Sequence, residues 1–217
     1  MDDSYKWGVV LIACMAIFII VLDSSAMNVA ISTLVVELNT TVSIIQGIIA
    51  IYALIIASFM LLGSKIQDIL GRKKTFLMGL IIYACGTITA TLSINAGMLL
   101  LGWAILEGVG AAMILPATTT IVGSSYEGKD RVTAFGIWGG IAAVGAAVGP
   151  IVGGIFTTYL SWRLVFGSEL VFVAGILIFR HYLTESEPTL KWKDLDIVGV
   201  FLSVISLILI VLGILFL

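Results

Sequence analysis

Long apolar stretches, each broken by a short polar segment, repeat along the whole chain. Those long enough to cross about 30 Å of hydrocarbon fall near 8–32, 43–63, 75–94, 97–121, 132–158, 163–181 and 196–217. Each predicts a membrane-spanning helix, because in lipid every backbone N–H and C=O must find its partner within the protein. Three breaks carry charge: SKIQDILGRKK at 64–74, YEGKDR at 126–131 and RHYLTESEPTLKWKDLD at 180–196. The alternate breaks, near 33–42, 95–96 and 159–162, are nearly free of lysine and arginine. The last charged break is the longest. It divides the chain into a six-helix unit at 1–181, a cytoplasmic loop at 182–195 and an additional transmembrane helix at 196–217. One undivided seven-helix bundle is the alternative.

Charge orients this array. Of the eleven lysines and arginines, ten fall on one side of the predicted topology and only Arg163 on the other. Basic loops stay in the cytoplasm, so the N-terminus and the charged breaks are expected there, in a multi-pass protein of the cell membrane. Seven spans invite comparison with receptors, but those have the N-terminus outside. Composition agrees with a lipid solvent: 60% of residues are hydrophobic and 11% charged, with a mean hydropathy of +1.20. A soluble domain needs a far more charged surface. A net charge of -2 without a basic arm gives no footing for nucleic acid. MDDSYKW lacks the basic start of a signal peptide and reads as the beginning of the first span. Cys14 and Cys85 lie in apolar stretches and are expected to be small buried hydrophobes rather than a disulfide.

Ionisable groups within spans are the candidates for chemistry, since each costs at least about 2.5 kcal/mol to place in a membrane. Asp23 lies two thirds along the first span, Glu107 midway along the fourth and Glu169 several residues into the sixth. No lysine, arginine or histidine lies in the middle of any span. Burial disfavours the charged form of a carboxyl. A group that takes up or releases a proton as its surroundings change is what proton coupling requires, and when ionised it can also pair with a cationic substrate. Each acid has a structural alternative. Asp23 could lie among headgroups or bond to Ser24, Ser25 or Asn28; Glu169 could be solvated or paired with Arg163; Glu107 could bond to a neighbouring helix.

The fifth span reads GIWGGIAAVGAAVGPIVGG. Gly145, Gly149 and Gly153 are four apart, with Gly136 and Gly140 repeating the interval upstream, and small residues at this spacing let a second backbone approach. Pro150 should kink the helix unless neighbours compensate. In the loop at 64–74, Asp68 ends one helix, Gly71 suits a turn of positive φ, and Arg72, Lys73 and Lys74 can serve helix-end carbonyls and anionic headgroups. His181 is expected at the interface beside Arg180. With no metal-ligand cluster, phosphate loop or nucleophile–base pair, an enzyme is the weakest reading. No cofactor is expected, and the proton is the expected coupling ion.

Taken together these segments resemble the major facilitator superfamily, and within it the N-terminal half of the fourteen-span drug:proton antiporters (the DHA2-like multidrug efflux family). LDSSAMNVAIS at 22–32 is similar to their Asp-centred motif, SKIQDILGRKK to their G-x-L-a-D-r-x-G-R-K loop, and LEGVGAAMILPA at 106–117 to their fourth-span segment. GAAVGPIVGG at 145–154 fits their G-x-x-x-G-P-x-x-G-G motif, and SWRLVF at 161–166 also resembles them. The resemblance implies an all-α membrane fold, a six-helix half bundle of two three-helix inverted repeats plus a seventh transmembrane helix. It makes Asp23 a coupling or cation-facing acid lining the central cavity; with Asn28 of the same segment and the span acids Glu107 and Glu169, Asp23 makes up the candidate substrate and proton-coupling set. It makes Asp68, Gly71, Arg72 and Lys73 a cytoplasmic latch, and Gly145, Gly149, Pro150, Gly153 and Gly154 the interface that restricts leak. Transport in this fold is rocking of one half against the other around a midplane site.

The chain departs from the pattern in ways that change its chemistry. Ala104 stands where the family has a buried arginine, and Glu107 where it has glutamine. Ser64, Ile69, Ser32 and Gly47 replace a glycine, a basic residue, a proline and a tryptophan. Glu169 and Val171 replace an asparagine and a proline. The cavity is therefore more acidic, with an expected preference for cations. A complete transporter has two six-helix halves, related as parallel repeats about an axis along the membrane normal. A homodimer, a separately encoded second half, or a fragment of a longer chain would each account for the single half here. The expected function is proton-coupled export of small amphipathic or cationic compounds by a chain set in membrane lipid, working as a dimer or with a second half. The alternative is a non-transporting membrane subunit or scaffold of the same fold.

Overall fold

The computed structural model describes residues 3–194 and 196–215. The protein is an all-α, seven-helix bundle. Six helices are long and apolar enough to cross a membrane: α1 (Asp3–Glu37), α2 (Val42–Leu70), α3 (Arg72–Thr91), α4 (Ala96–Ser125), α5 (Gly128–Tyr159) and α6 (Arg163–Phe179). Short 3-10 turns at Arg180–Tyr182 and Trp192–Asp194 lead to the additional helix α7 (Ile197–Leu215).

The helices outrun the apolar stretches that predict them. Polar residues mark where a span leaves hydrocarbon, but Lys65 and Gln67 are good helix formers and do not end a helix. The break expected at 64–74 therefore shrinks to Gly71, whose φ of +88° disfavours any side chain. Its N–H bonds the Gln67 carbonyl at 2.9 Å, closing α2. Thr41 caps α2 by accepting from the Ile44 N–H, and Asn95 caps α4 by accepting from that of Met98. These caps satisfy donors that a helix start leaves open. Within α4, Leu100–Glu107 winds as a π-helix, a rare and wider geometry that recurs at functional positions.

Helices α1 and α4 bury most of their length, whereas most of α2 and α5 is not fully buried. The α1–α5 seam depends on missing side chains. A Cβ at Gly149 would lie 2.7 Å from the Leu22 carbonyl oxygen, and one at Gly153 would lie 2.8 Å from that of Ala26. Gly136 and Gly140 have nothing within 4 Å of such a Cβ, so the upstream interval does not extend the seam. Gly154 lies at its edge, where a Cβ would be 3.9 Å from Val29, and exposed Pro150 leaves α5 one continuous helix. Cys14 is buried as expected, but Cys85 is exposed.

Two large apolar clusters fill most of the bundle, beside a small one of Leu22, Ala26 and Val165 that packs against Val148 and Val152 of α5. One lies toward the α2–α3 turn, around Ile12, Ala16, Phe76, Leu80, Ile114 and Ile176. The other lies toward the opposite end, around Met27, Leu34, Ile45, Trp103, Trp162 and Phe166.

Candidate functional site

Between the two clusters runs a thin polar layer, and its level can be read helix by helix. On α1, Ile20 belongs to one cluster and Met27 to the other, with Asp23 between them. On α3 the sequence is Tyr83, Thr87, Ala90; on α4 it is Ala111, Glu107, Ala104; on α6 it is Val173, Glu169, Phe166. Each polar residue is one helical turn from an apolar neighbour on either side, the i, i+3/i+4 spacing that keeps a column on one face. The three acids therefore meet at one depth: Asp23 and Glu107 are 0% exposed, Glu169 1%. One carboxylate oxygen from each lies within 4.8 Å of the others.

Each acid has one oxygen held by a donor. The Trp103 indole N–H bonds Asp23 Oδ2. The Thr87 hydroxyl lies 3.0 Å from Glu107 Oε2 and the same distance from the Tyr83 carbonyl oxygen. The Tyr83 hydroxyl donates to Glu169 Oε2 at 2.7 Å. Among the described residues, no donor side chain bonds the other oxygens, Asp23 Oδ1, Glu107 Oε1 and Glu169 Oε1, and none bonds the buried Tyr52 hydroxyl. Three negative charges this close cannot coexist in a low-dielectric layer without a cation, and the chain has no lysine, arginine or histidine at 7–64, 75–128, 132–162 or 164–179. Carboxylates without thiol or imidazole lack the ligands that select zinc or copper. A proton, or a hard cation of the kind that oxygen ligands suit, would neutralise the cluster.

These positions correct two alternatives. Asp23 is neither among headgroups nor bonded to Ser24, Ser25 or Asn28, because α1 turns its side chain inward to Trp103. Glu169 is neither solvated nor paired with Arg163. That arginine is held at the opposite end by Glu37 at 2.7 Å and the Ser93 carbonyl at 2.9 Å, with its guanidinium over the Trp162 ring.

The layer has an open neighbour. A groove of about 520 Å³ runs along the exposed side of α1 and α2, lined by Val21, Ser24, Asn28, Tyr52, Ile56 and Met60. A second hollow of about 540 Å³ continues it past Met60 toward Pro116 and Trp138. Asn28 belongs to this groove and not to the acidic layer; it bonds the Ser24 carbonyl at 2.8 Å. Tyr52 belongs to both: it lines the groove, and its ring stacks on Trp103 with centroids 4.8 Å apart.

The sequence model of the Major Facilitator Superfamily matches residues 13–217. The chain belongs to that superfamily. It is 31% identical over 211 residues to the puromycin resistance protein pur8 of Streptomyces alboniger, covering 97% of this chain and 42% of that one. It is 26% identical over 198 residues to the riboflavin transporter RibZ of Clostridioides difficile, covering 91% and 43%. Among solved structures it resembles the peptide transporter POT in complex with sulfate (TM-score 0.76, 18% identity, 96% and 45% covered). It also resembles the proton:xylose symporter XylE (TM-score 0.71, 13% identity, 86% and 46% covered). The chain thus spans less than half the length of these relatives.

The candidate residues of the α2–α3 turn lie on a different part of the fold from the acids. Asp68 is in the last turn of α2, Gly71 is the break, and Arg72 and Lys73 open α3. The segment after α6 folds back onto this turn: the N–H groups of Thr189 and Leu190 both donate to the Asp68 carbonyl, at 2.8 and 3.0 Å. The Arg72 N–H donates to the Ser186 hydroxyl at 2.9 Å. His181 stacks against Tyr182 beside Arg180, at 4.1 Å. Tyr52, Tyr83, Thr87 and Trp103 escape the sequence reading, since aromatic and threonine residues are ordinary in spans. The one available signal is that Tyr83 and Thr87 are four apart on the face of α3 that carries Gly79 and Gly86.

Proposed function

We propose that the protein is a proton-coupled secondary transporter that exports small amphipathic or cationic compounds. The observation that carries this is the buried layer of Asp23, Glu107 and Glu169 directly behind an open, mostly apolar groove. Protons neutralise the layer, and loss of one leaves a negative charge beside the groove that favours a cation there. The name of the puromycin resistance protein among the relatives supports the same direction of transport. The N-terminus and the basic ends of α2 and α3 are assigned to the cytoplasm by the distribution of lysine and arginine.

On this reading the exposed sides of α2 and α5 face a second six-helix half, supplied by another copy or by a separate chain. Asp68, Gly71, Arg72 and Lys73 form the cytoplasmic latch between halves, and the α1–α5 seam restricts leak. The test is gradient-driven movement of a cationic dye in proteoliposomes that contain only this chain, beside Asp23→Asn. Flux that follows the proton gradient and disappears in the variant supports the reading. Flux that ignores the gradient, or persists in the variant, overturns it.

A further inference from the structure

The acids and the groove do not touch directly. Asp23 is wholly buried, and its immediate helical neighbours Val21, Ser24 and Ser25 line the groove in its place. Information about groove occupancy has to cross this wall. Among the described residues, Tyr52 both lines the groove and stacks on the side chain that holds Asp23.

The stacking is close, with ring planes 18° apart, and both rings are buried. Displacing one ring therefore disturbs the other, because a packed interior leaves no void to absorb the motion. The Trp103 N–H points at Asp23 Oδ2, so a shift of the indole weakens or lengthens that bond. Among the described residues no donor side chain bonds the other oxygen, Oδ1, and no side chain bonds the Tyr52 hydroxyl, so no hydrogen bond fixes that ring from its far end. Trp103 lies within the π-helical stretch Leu100–Glu107, which also ends on Glu107. One aromatic pair thus adjoins two of the three acids.

We infer that Tyr52 is a positioning residue: a compound entering the groove moves its ring, and the Tyr52–Trp103 stack passes that movement to Asp23. The inference rests on the transport reading above, and names the side chains by which the groove and the acidic layer act on each other. The stacked ring is the working part, so phenylalanine should serve at position 52 and leucine should not.

The test uses the full chain in detergent and in proteoliposomes, with tetraphenylphosphonium as the probe cation. In detergent, binding is measured directly and by tryptophan emission, with Trp103→Phe identifying the part of the signal that comes from Trp103. The parent and Tyr52→Phe should both show a Trp103 response and gradient-driven accumulation. At cation concentrations that saturate its own groove, Tyr52→Leu should lose the Trp103 response and accumulate no more than Asp23→Asn.

Should Tyr52→Leu fold poorly, Trp103→Phe decides the matter. It keeps an aromatic ring for Tyr52 but removes the N–H, and should bind the cation without accumulating it. Full response and accumulation in Tyr52→Leu, or full accumulation in Trp103→Phe, overturns the inference while the transport reading stands. Equal failure of Tyr52→Phe and Tyr52→Leu also overturns it, since the hydroxyl would then be the working part. A parent chain that accumulates nothing takes the transport reading down as well.

Discussion

At the scale of single residues, the acidic layer is defined as much by its donors as by its acids. Trp103, Thr87 and Tyr83 each orient one carboxyl, and none is replaceable by an apolar residue of the same size without leaving a buried oxygen bare. Such an orphan costs about 1–3 kcal/mol. Thr87→Val should therefore lower the thermal midpoint of the purified protein, whereas Glu107→Gln should leave it nearly unchanged, because glutamine keeps an acceptor for the Thr87 hydroxyl. Glu107→Gln should nevertheless lose gradient-driven flux. A variant with both midpoint and flux intact would leave Glu107 outside the coupling chemistry. The three acids were legible in the sequence because carboxyls are expensive in a membrane. Their convergence was not. It depends on matching heights on α1, α4 and α6, and hydropathy along one strand of text carries no information about height between helices.

At the scale of elements, glycine explains where backbones meet. Gly149→Leu should lower the yield of folded protein sharply, since its first carbon already meets the Leu22 carbonyl; yield equal to the parent would mean the seam opens without cost. The same substitution at Gly140 should be tolerated, because that position has open space. This contrast separates positions that look alike in the repeat, which is why the glycine pattern announced close packing but not its extent. The α2–α3 turn offers a second test. Asp68→Asn keeps the backbone carbonyl that Thr189 and Leu190 bond, so the fold should survive while transport falls. Unchanged transport would make Asp68 an ordinary acid at a helix end. Gly71 was readable from sequence because a reversal so short demands positive φ. The fold-back of residues 186–190 onto it was not, because its bonds are made by backbone groups that every residue carries.

At the scale of the whole molecule, the exposed sides of α2 and α5 contrast with the buried α1 and α4. In the proposed homodimer those sides meet those of a second copy. A cysteine at Ile151, which is 61% exposed on α5, in a chain lacking Cys14 and Cys85, should then cross-link two copies in native membranes. Absence of a cross-linked pair in transport-competent membranes would count against the homodimer and for a separate second half. The opposite end, where Glu37, Arg163, Trp162 and the Ser93 carbonyl join α1 to the α3–α4 turn and α6, is partly exposed. A solvent-screened pair of this kind stabilises by no more than about 1 kcal/mol. Arg163→Gln should accordingly shift the thermal midpoint only slightly. The superfamily half-bundle was legible from the ordered motifs and from their topology together. Neither alone distinguishes the two sides of a bundle whose helices are apolar all round.

The π-helical stretch in α4 has a consequence for chain length. A π turn accommodates more residues than the α turn it replaces, so Leu100–Glu107 holds surplus chain that the remaining long helices lack. Removing one residue elsewhere in α1 or α5 rotates everything beyond it by about 100° and breaks the register of the seam. Removing one residue between Leu100 and Leu106 lets the segment relax toward an ordinary helix. A deletion scan should therefore find its most forgiving stretch in the middle of a buried helix, where a substitution scan would find one of its least forgiving.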